Sequence, residues 1–194
     1  TITRRGLKLN DLKWIRVLSR DSGYNEDVRH NLMPQIIAVV GKSKSGKTTL
    51  IEKLIPELKK RGYRIGSVKH AHHGFEIDKK GKDSYRHRAA GADVVVVASP
   101  DEIAVVKKIK TDSLDNLETF FSDMDLVLVE GYKRARHPKI EVYDKNSHEA
   151  PLGLTKEELV AFVSDDPVDV DVPLYRTDQI AELSDLIERR YLKP

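Results

Sequence analysis

The 194-residue sequence predicts a doubly wound α/β domain on a mostly parallel sheet, and three observations carry that reading. Strand-length apolar runs rich in β-branched residues alternate with helix-length segments of amphipathic spacing, the order that builds βαβ units. The first run, Gln35-Ile36-Ile37-Ala38-Val39-Val40, passes straight into Gly41-Lys42-Ser43-Lys44-Ser45-Gly46-Lys47-Thr48-Thr49 and then into the helical spacing of Leu50-Ile51-Glu52-Lys53-Leu54-Ile55. A second apolar run, Leu126-Val127-Leu128-Val129, ends in Glu130-Gly131.

In chain order, residues 1–33 mix basic and polar residues with scattered Leu9, Leu12, Trp14, Ile15, Val17 and Leu18, and they read as a tail, linker or added segment. The compact domain is expected over 34–194, beginning at Met33-Pro34. After the glycine loop, Leu50, Ile51, Leu54, Ile55 and Leu58 share a helix face that should end at Gly62, with Pro56 expected to kink the axis. Arg64–Lys69 reads as the next strand. The polar stretch His70–Lys82 reads as loop, followed by a helix capped by Asp83 or Ser84 and ending at Gly91.

Asp93–Ser99 is a continuous apolar run, expected as a fully buried strand, and Glu102–Lys107 as a shorter one. A helix over Asp115–Ser122 is expected to turn Leu114, Leu117, Phe120 and Phe121 inward. Further strands are expected at Asp125–Tyr132, Lys139–Tyr143, Leu159–Val163 and Val172–Tyr175. A closing helix should run from Asp178 to Arg190 with Ile180, Leu183, Leu186 and Ile187 buried.

Composition narrows the function classes. The sequence has no cysteine, which removes disulfides, thiolate metal sites and cysteine nucleophiles together. No apolar run approaches the ~18 residues a membrane helix needs, and Arg4-Arg5 are followed by no apolar segment, so a cytoplasmic address is expected. Of the formal net charge of +3, residues 1–33 carry all of it, with seven Lys/Arg against four Asp/Glu. The neutral body argues against a domain built mainly to bind nucleic acid.

The spacing G-x-x-x-x-G-K-T after a strand and before a helix is a phosphate-binding loop. Its glycines let backbone N–H groups turn inward around phosphates, with Gly41, Ser43, Ser45, Gly46 and Thr49 forming the cradle. Lys47 reaches the terminal phosphates, the Thr48 hydroxyl ligates Mg²⁺, and the helix N-terminus adds its positive end. Glu130, at the end of a buried strand, is expected to face the Mg²⁺ and its water shell. Asp78 is the next acid on a loop expected near the γ-phosphate, as a Mg²⁺ ligand or water-orienting group. No glutamine or arginine stands out as an accelerator of hydrolysis, so slow turnover is expected. Asn-Lys-x-Asp is absent; Ser164-Asp165-Asp166 is its nearest positional counterpart, with Asp165 either reading guanine or serving as a loop aspartate before Pro167.

Several of these features together form a resemblance. Gly41 to Thr49, Lys69-His70 with His73 and Asp78, Gly81-Lys82-Asp83-Ser84, Arg86-His87-Arg88, Ala90-Gly91-Ala92 and Leu128-Val129-Glu130-Gly131-Tyr132-Lys133 resemble the MobB family. These are adaptors of molybdopterin-guanine dinucleotide biosynthesis, and the match runs in order over 34–194. The resemblance implies the P-loop NTPase fold and a GTP-binding adaptor with weak Mg²⁺-dependent GTPase activity. It also implies a homodimer that assists the guanylyltransferase attaching GMP to molybdopterin, working beside other molybdenum cofactor enzymes.

Within that frame, Lys69, His70, Arg86 and Arg88 either form a basic pocket for the phosphate of molybdopterin or its guanine dinucleotide, or are surface charges. Partner binding is expected to depend on nucleotide state or on the Asp83/Arg86 face. His70, His72, His73 and His87 admit a metal reading or a solvated one. Lys42 is either a surface lysine or a side chain that reaches a partner's nucleotide. A metallochaperone-type GTPase and a small-molecule kinase of the phosphate-loop class remain as alternatives.

Overall fold

The computed structural model describes residues 34–194 except 72, 73, 77, 110–112, 115, 116 and 194. The expected extension over 1–33, its boundary at Met33, and His72 and His73 lie outside the described residues.

β1 (Gln35–Val40) leads through the glycine loop into α1 (Lys47–Lys60), which returns to β2 (Ile65–Lys69). There follow α2 (Asp83–Ala89), β3 (Val94–Ala98), β4 (Ile103–Lys107), a 3₁₀ turn (Glu118–Phe121) and β5 (Leu126–Glu130). β6 (Lys139–Val142), β7 (Leu159–Val163), β8 (Leu174–Tyr175) and α3 (Ile180–Ile187) complete the domain, with one π-helical turn after α3 over Glu188–Leu192. Six strands form one sheet in the order β2-β5-β1-β6-β7-β8, every pair parallel.

The strand order reverses direction across β1, and in such a sheet the crevice at the C-terminal strand ends is where ligands collect. Register then decides which side chains meet there. Val39 lies opposite Glu130, and Glu130 lies opposite Lys69, so the ends of β1, β5 and β2 are level.

The sheet is covered on both faces because the strands are apolar on both. On one face Ile37, Val39, Leu126 and Leu128 pack under Leu50, Leu54 and Leu58 of α1 and Leu183 and Ile187 of α3. Each fully buried Leu or Ile of that layer contributes about 2 kcal/mol of transfer free energy. On the other face Val127 and Val129 pack with Leu114, Leu117, Phe121 and Met124. Gly66 of β2 is required by that packing, since a Cβ there would lie 2.5 Å from the Phe121 ring.

α1 runs through Pro56 as one helix element and stops at Gly62, whose φ of 93° is left-handed. The stop is a Schellman closure: Gly62 N–H donates to Lys59 O and Tyr63 N–H to Leu58 O. Arg61 then ties α1 to α3, donating to Glu57 (2.9 Å), Asp185 (2.6 Å) and Glu188 (3.1 Å).

Four expectations are corrected. The run at 93–99 is not a buried strand of the main sheet: β3 pairs antiparallel with β4 in a separate hairpin, and only Val95 among its residues is buried. The hairpin closes at Ser99, which donates N–H to Glu102 O and accepts Glu102 N–H at its hydroxyl. An apolar run reports a preference for burial but not the partner that supplies it. Of the expected inward helix at 115–122, residues 115 and 116 lie outside the described residues, and Glu118–Phe121 is a 3₁₀ turn with Phe120 exposed (54%). α2 begins at Asp83, so the N-cap is Lys82, whose amine offers no acceptor and makes no cap; Ser84, already inside the first turn, donates its hydroxyl to Asp78 (2.8 Å). The closing helix is α-helical only over Ile180–Ile187, and Ile180 is only partly buried.

Candidate functional site

The loop after β1 is built from backbone dihedrals. Gly41 (φ 148°), Lys44 (φ 62°) and Gly46 (φ 95°) alternate with ordinary residues, and such alternation turns successive N–H groups toward one concavity. Gly41 has no substitute there: a Cβ would lie 2.3 Å from Val142 O and 2.5 Å from Ser45 Oγ. Lys44 adopts the left-handed conformation without glycine's freedom, a strain of about 1–2 kcal/mol that surrounding contacts must hold. The N-cap of α1 is Gly46, with no side-chain cap and no acid in the first turn. The first N–H groups of that helix are therefore uncapped by its own side chains, the arrangement that receives an anion.

Around this loop lies a cavity of about 480 Å³, lined among others by Gly41, Lys42, Lys47, Glu130, Tyr132 and Leu152. Lys47 donates its amine to Lys42 O at 2.6 Å, which curls the side chain back over the loop. Burial lowers its pKa from the ordinary lysine value; the Glu130 charge opposes this and the Lys69 charge adds to it. Thr48 donates its hydroxyl to Glu130 Oε2 at 2.9 Å, and Lys69 Nζ is 3.4 Å from Glu130 Oε1. Two cations, one carboxylate and one hydroxyl thus share the strand ends that the register made level.

β5 exits through Gly131 (φ 102°) and Tyr132 (φ 51°), a turn that stacks the Tyr132 ring on His70 at 4.0 Å. His70 also lines the cavity, so the sequence-predicted Lys69 and His70 both reach the site from the end of β2.

Other predicted residues lie elsewhere. Asp78 accepts from Ser84 and lines a second cavity of about 640 Å³ between α2 and the β3–β4 hairpin, together with Asp83 and His87. Asp83 pairs with Arg86 at 3.5 Å on exposed α2, and Arg88 sits over the Tyr85 ring at 5.7 Å. The structure therefore does not bring Asp78, Asp83 and Arg86 to the cavity that holds Lys47 and Glu130. Asp165, at the end of β7, accepts the Thr177 N–H (3.0 Å) and hydroxyl (2.6 Å), which lower its pKa and tie β7 to the segment after β8. Among the described residues no group of three or more His, Asp or Glu side chains is placed to hold a metal ion.

The segment after β6 also reaches the loop, although no motif in the sequence marks it. Ser147 donates to Lys44 O at 3.4 Å, and the His148 ring nitrogen Nε2 lies 2.5 Å from Ser43 O. Leu152 lines the cavity, with its N–H donated to the buried Glu141 carboxylate at 2.5 Å. One signal in the sequence could have located it: the loop following a strand beside β1 opens at the same crevice.

A glycine loop feeding a helix, faced by an acid at the end of the neighbouring parallel strand, on this sheet order, defines a P-loop-type α/β protein. Comparison with known proteins carries the assignment further. The family model "Molybdopterin guanine dinucleotide synthesis protein B" matches residues 36–165. The molybdopterin-guanine dinucleotide biosynthesis adapter protein of Haemophilus influenzae is 39% identical over 82% of this chain and 90% of its own length. The adapter protein of Escherichia coli is 37% identical over 80% and 92%. The crystal structure of Bacillus subtilis MobB superposes with a TM-score of 0.67 at 28% identity, covering 82% of this chain and 99% of that one. The chain belongs to the MobB family.

Proposed function

We propose that this protein holds Mg-GTP at the phosphate loop and serves as an adaptor in molybdopterin-guanine dinucleotide biosynthesis, assisting the guanylyltransferase that attaches GMP to molybdopterin. The observation that carries the nucleotide part is the Thr48–Glu130 pair at 2.9 Å beside Lys47. A hydroxyl and a carboxylate oxygen are hard donors of the kind Mg²⁺ takes, and Mg²⁺ in such sites completes its octahedron with phosphate oxygens and water. The donor set therefore fits. Bound there, the ion would neutralise phosphate charge, while Lys47 and the uncapped N–H groups of α1 orient the triphosphate.

Among the described residues that line the cavity there is no arginine or glutamine. Intrinsic hydrolysis is accordingly slow in this reading, and the site works as a holder more than as an engine. Lys69 and His70 offer the adjoining contacts for the phosphate of molybdopterin or its guanine dinucleotide. Family membership favours this reading over a metallochaperone GTPase or a small-molecule kinase on the same fold.

A homodimer belongs to the proposal. An isolated two-stranded hairpin is marginal in water, and here one face of it, with Val94, Val96, Ile103 and Val105, is exposed. A second copy of the chain supplies an identical apolar face in a closed two-fold pairing. No helix among the described residues is long and apolar enough to cross a membrane, and a cytoplasmic address is part of the same reading.

The test is GTP binding and turnover, in the presence of Mg²⁺, by the wild type and Lys47→Ala. Slow turnover in the wild type, with loss of binding in the variant, is expected. Equal, robust turnover in both would overturn the site assignment.

A further inference from the structure

We infer that the segment Asp144–Leu152 is a strap that holds the phosphate loop in its binding conformation, with His148 as the positioning residue that sets nucleotide affinity. This rests on the nucleotide-holding reading above, and adds to it a group remote in sequence from the loop.

A phosphate loop that turns its N–H groups inward must turn its carbonyls outward, and carbonyls facing the protein side need donors of their own. Three consecutive carbonyls of this loop have them. Lys42 O accepts the Lys47 amine (2.6 Å), Ser43 O lies against His148 Nε2 (2.5 Å), and Lys44 O accepts the Ser147 hydroxyl (3.4 Å). The last two donors come from the strap, more than 100 residues along the chain, with separations of 105 and 103. They bracket Lys44, the residue of this loop that adopts left-handed backbone without being glycine. Such a residue persists only where its surroundings over-determine it.

The strap is itself fixed at both ends and along its turn. Asp144 accepts the Asn146 N–H (2.9 Å) and the Ser147 hydroxyl (2.7 Å), which shapes the turn that aims Ser147 and His148. Asp166 accepts the Lys145 N–H (3.0 Å) and amine (2.9 Å), fastening the start of the strap to the end of β7. At the far end, Glu141 is 1% exposed and accepts the Leu152 N–H, so that Leu152 becomes a wall of the nucleotide cavity. A buried carboxylate is costly unless its hydrogen bonds are made, and here it lies on the strand beside β1, in register with Val40, one residue before the loop.

The experiment uses the full chain and two readouts: Mg-GTP affinity by calorimetry, and amide hydrogen exchange across residues 42–46 without nucleotide. Losing one well-placed donor to a strained loop is expected to weaken affinity about tenfold in His148→Ala, and to speed exchange of the loop several-fold. His148→Gln, whose amide keeps a donor, is expected to restore most of both, and Ser147→Ala to give a smaller change of the same sign. Wild-type affinity together with unchanged loop exchange in His148→Ala and Ser147→Ala would overturn the strap. If His148→Ala does not fold, Ser147→Ala and His148→Gln decide on the same readouts. Should the wild type bind no Mg-GTP, the nucleotide reading fails; exchange in the loop then still decides whether the strap holds it.

Discussion

Thr48 and Glu130 are 82 residues apart in the chain, and the Thr48 hydroxyl donates to Glu130 Oε2 at 2.9 Å. The contact depends on no loop flexibility: Thr48 sits in the first turn of α1, and Glu130 ends β5, which is laddered to β1 along its whole length. Rigid elements on both sides are what a metal-nucleotide site needs if its donors are to stay in place between binding events.

Replacing that carboxylate isolates the charge from the shape. Glu130→Gln keeps an acceptor for Thr48 but removes the negative charge opposite Lys69 and opposite the proposed Mg²⁺. The Mg²⁺ concentration that half-saturates GTP binding is expected to rise about tenfold or more, with nucleotide binding in Mg²⁺-free buffer much less affected. Titration calorimetry at varied Mg²⁺ measures it; unchanged Mg²⁺ dependence would remove Glu130 from the site.

The hairpin makes a prediction about assembly. Ile103 is 73% exposed and Val96 57% exposed, on one face of a sheet with only two strands. Val96→Asp places a charge in the middle pair of the ladder, opposite Val105 and at the centre of the proposed self-contact, and a central apolar anchor is typically worth enough to raise a dimer dissociation constant about thirtyfold or more. Light scattering over a concentration series is expected to show a dimer for the wild type and a monomer for the variant. A wild type that is monomeric at every concentration would exclude the homodimer.

The α1–α3 junction predicts an acid sensitivity. The Glu188 carboxylate is held down from 4.5 to about 2, chiefly by the Lys193 amine (2.9 Å) and next by the Tyr63 hydroxyl (2.8 Å), with Arg61 adding to both. The same contact, with burial as the larger cause, pushes Tyr63 up to about 12. A depressed carboxylate stabilises the fold fully above its unfolded value and loses that contribution as pH falls toward the folded one. Thermal unfolding is therefore expected to show a stability loss between roughly pH 4 and pH 2 that is shallower in Glu188→Gln, while the variant is less stable than wild type at pH 7. Parallel curves for the two proteins would show that Glu188 is not the group responsible.

The strand, loop and helix around Gly41–Thr49 were legible because each is written locally: a β-branched run, glycines at fixed spacing and a helical apolar stripe occupy contiguous residues. Glu130 was legible for a similar reason, as an acid closing an apolar strand. The parallel order of the main sheet followed from alternation alone. What the sequence by itself determined is thus the strands of the main sheet, the helix after the glycine loop, and which residues stand at their ends.

Only the tertiary structure decided how those ends meet. Asp93–Ser99 has the composition of a buried central strand, yet its partner is β4, because the pairing of an apolar run depends on which edge is available and not on the run itself. Asp78 and Arg86 lie near Lys69 in sequence, but Asp78 bonds to Ser84 of α2 and Arg86 is exposed on α2 itself, whereas Ser147 and His148 reach the loop, and Leu152 its cavity, from the segment after β6, on the side of β1 opposite β5. The reason is geometric. Local pattern fixes dihedrals and burial over a few residues, while a site at the crevice of a parallel sheet is assembled by register across strands whose separations in the chain carry no periodic signal.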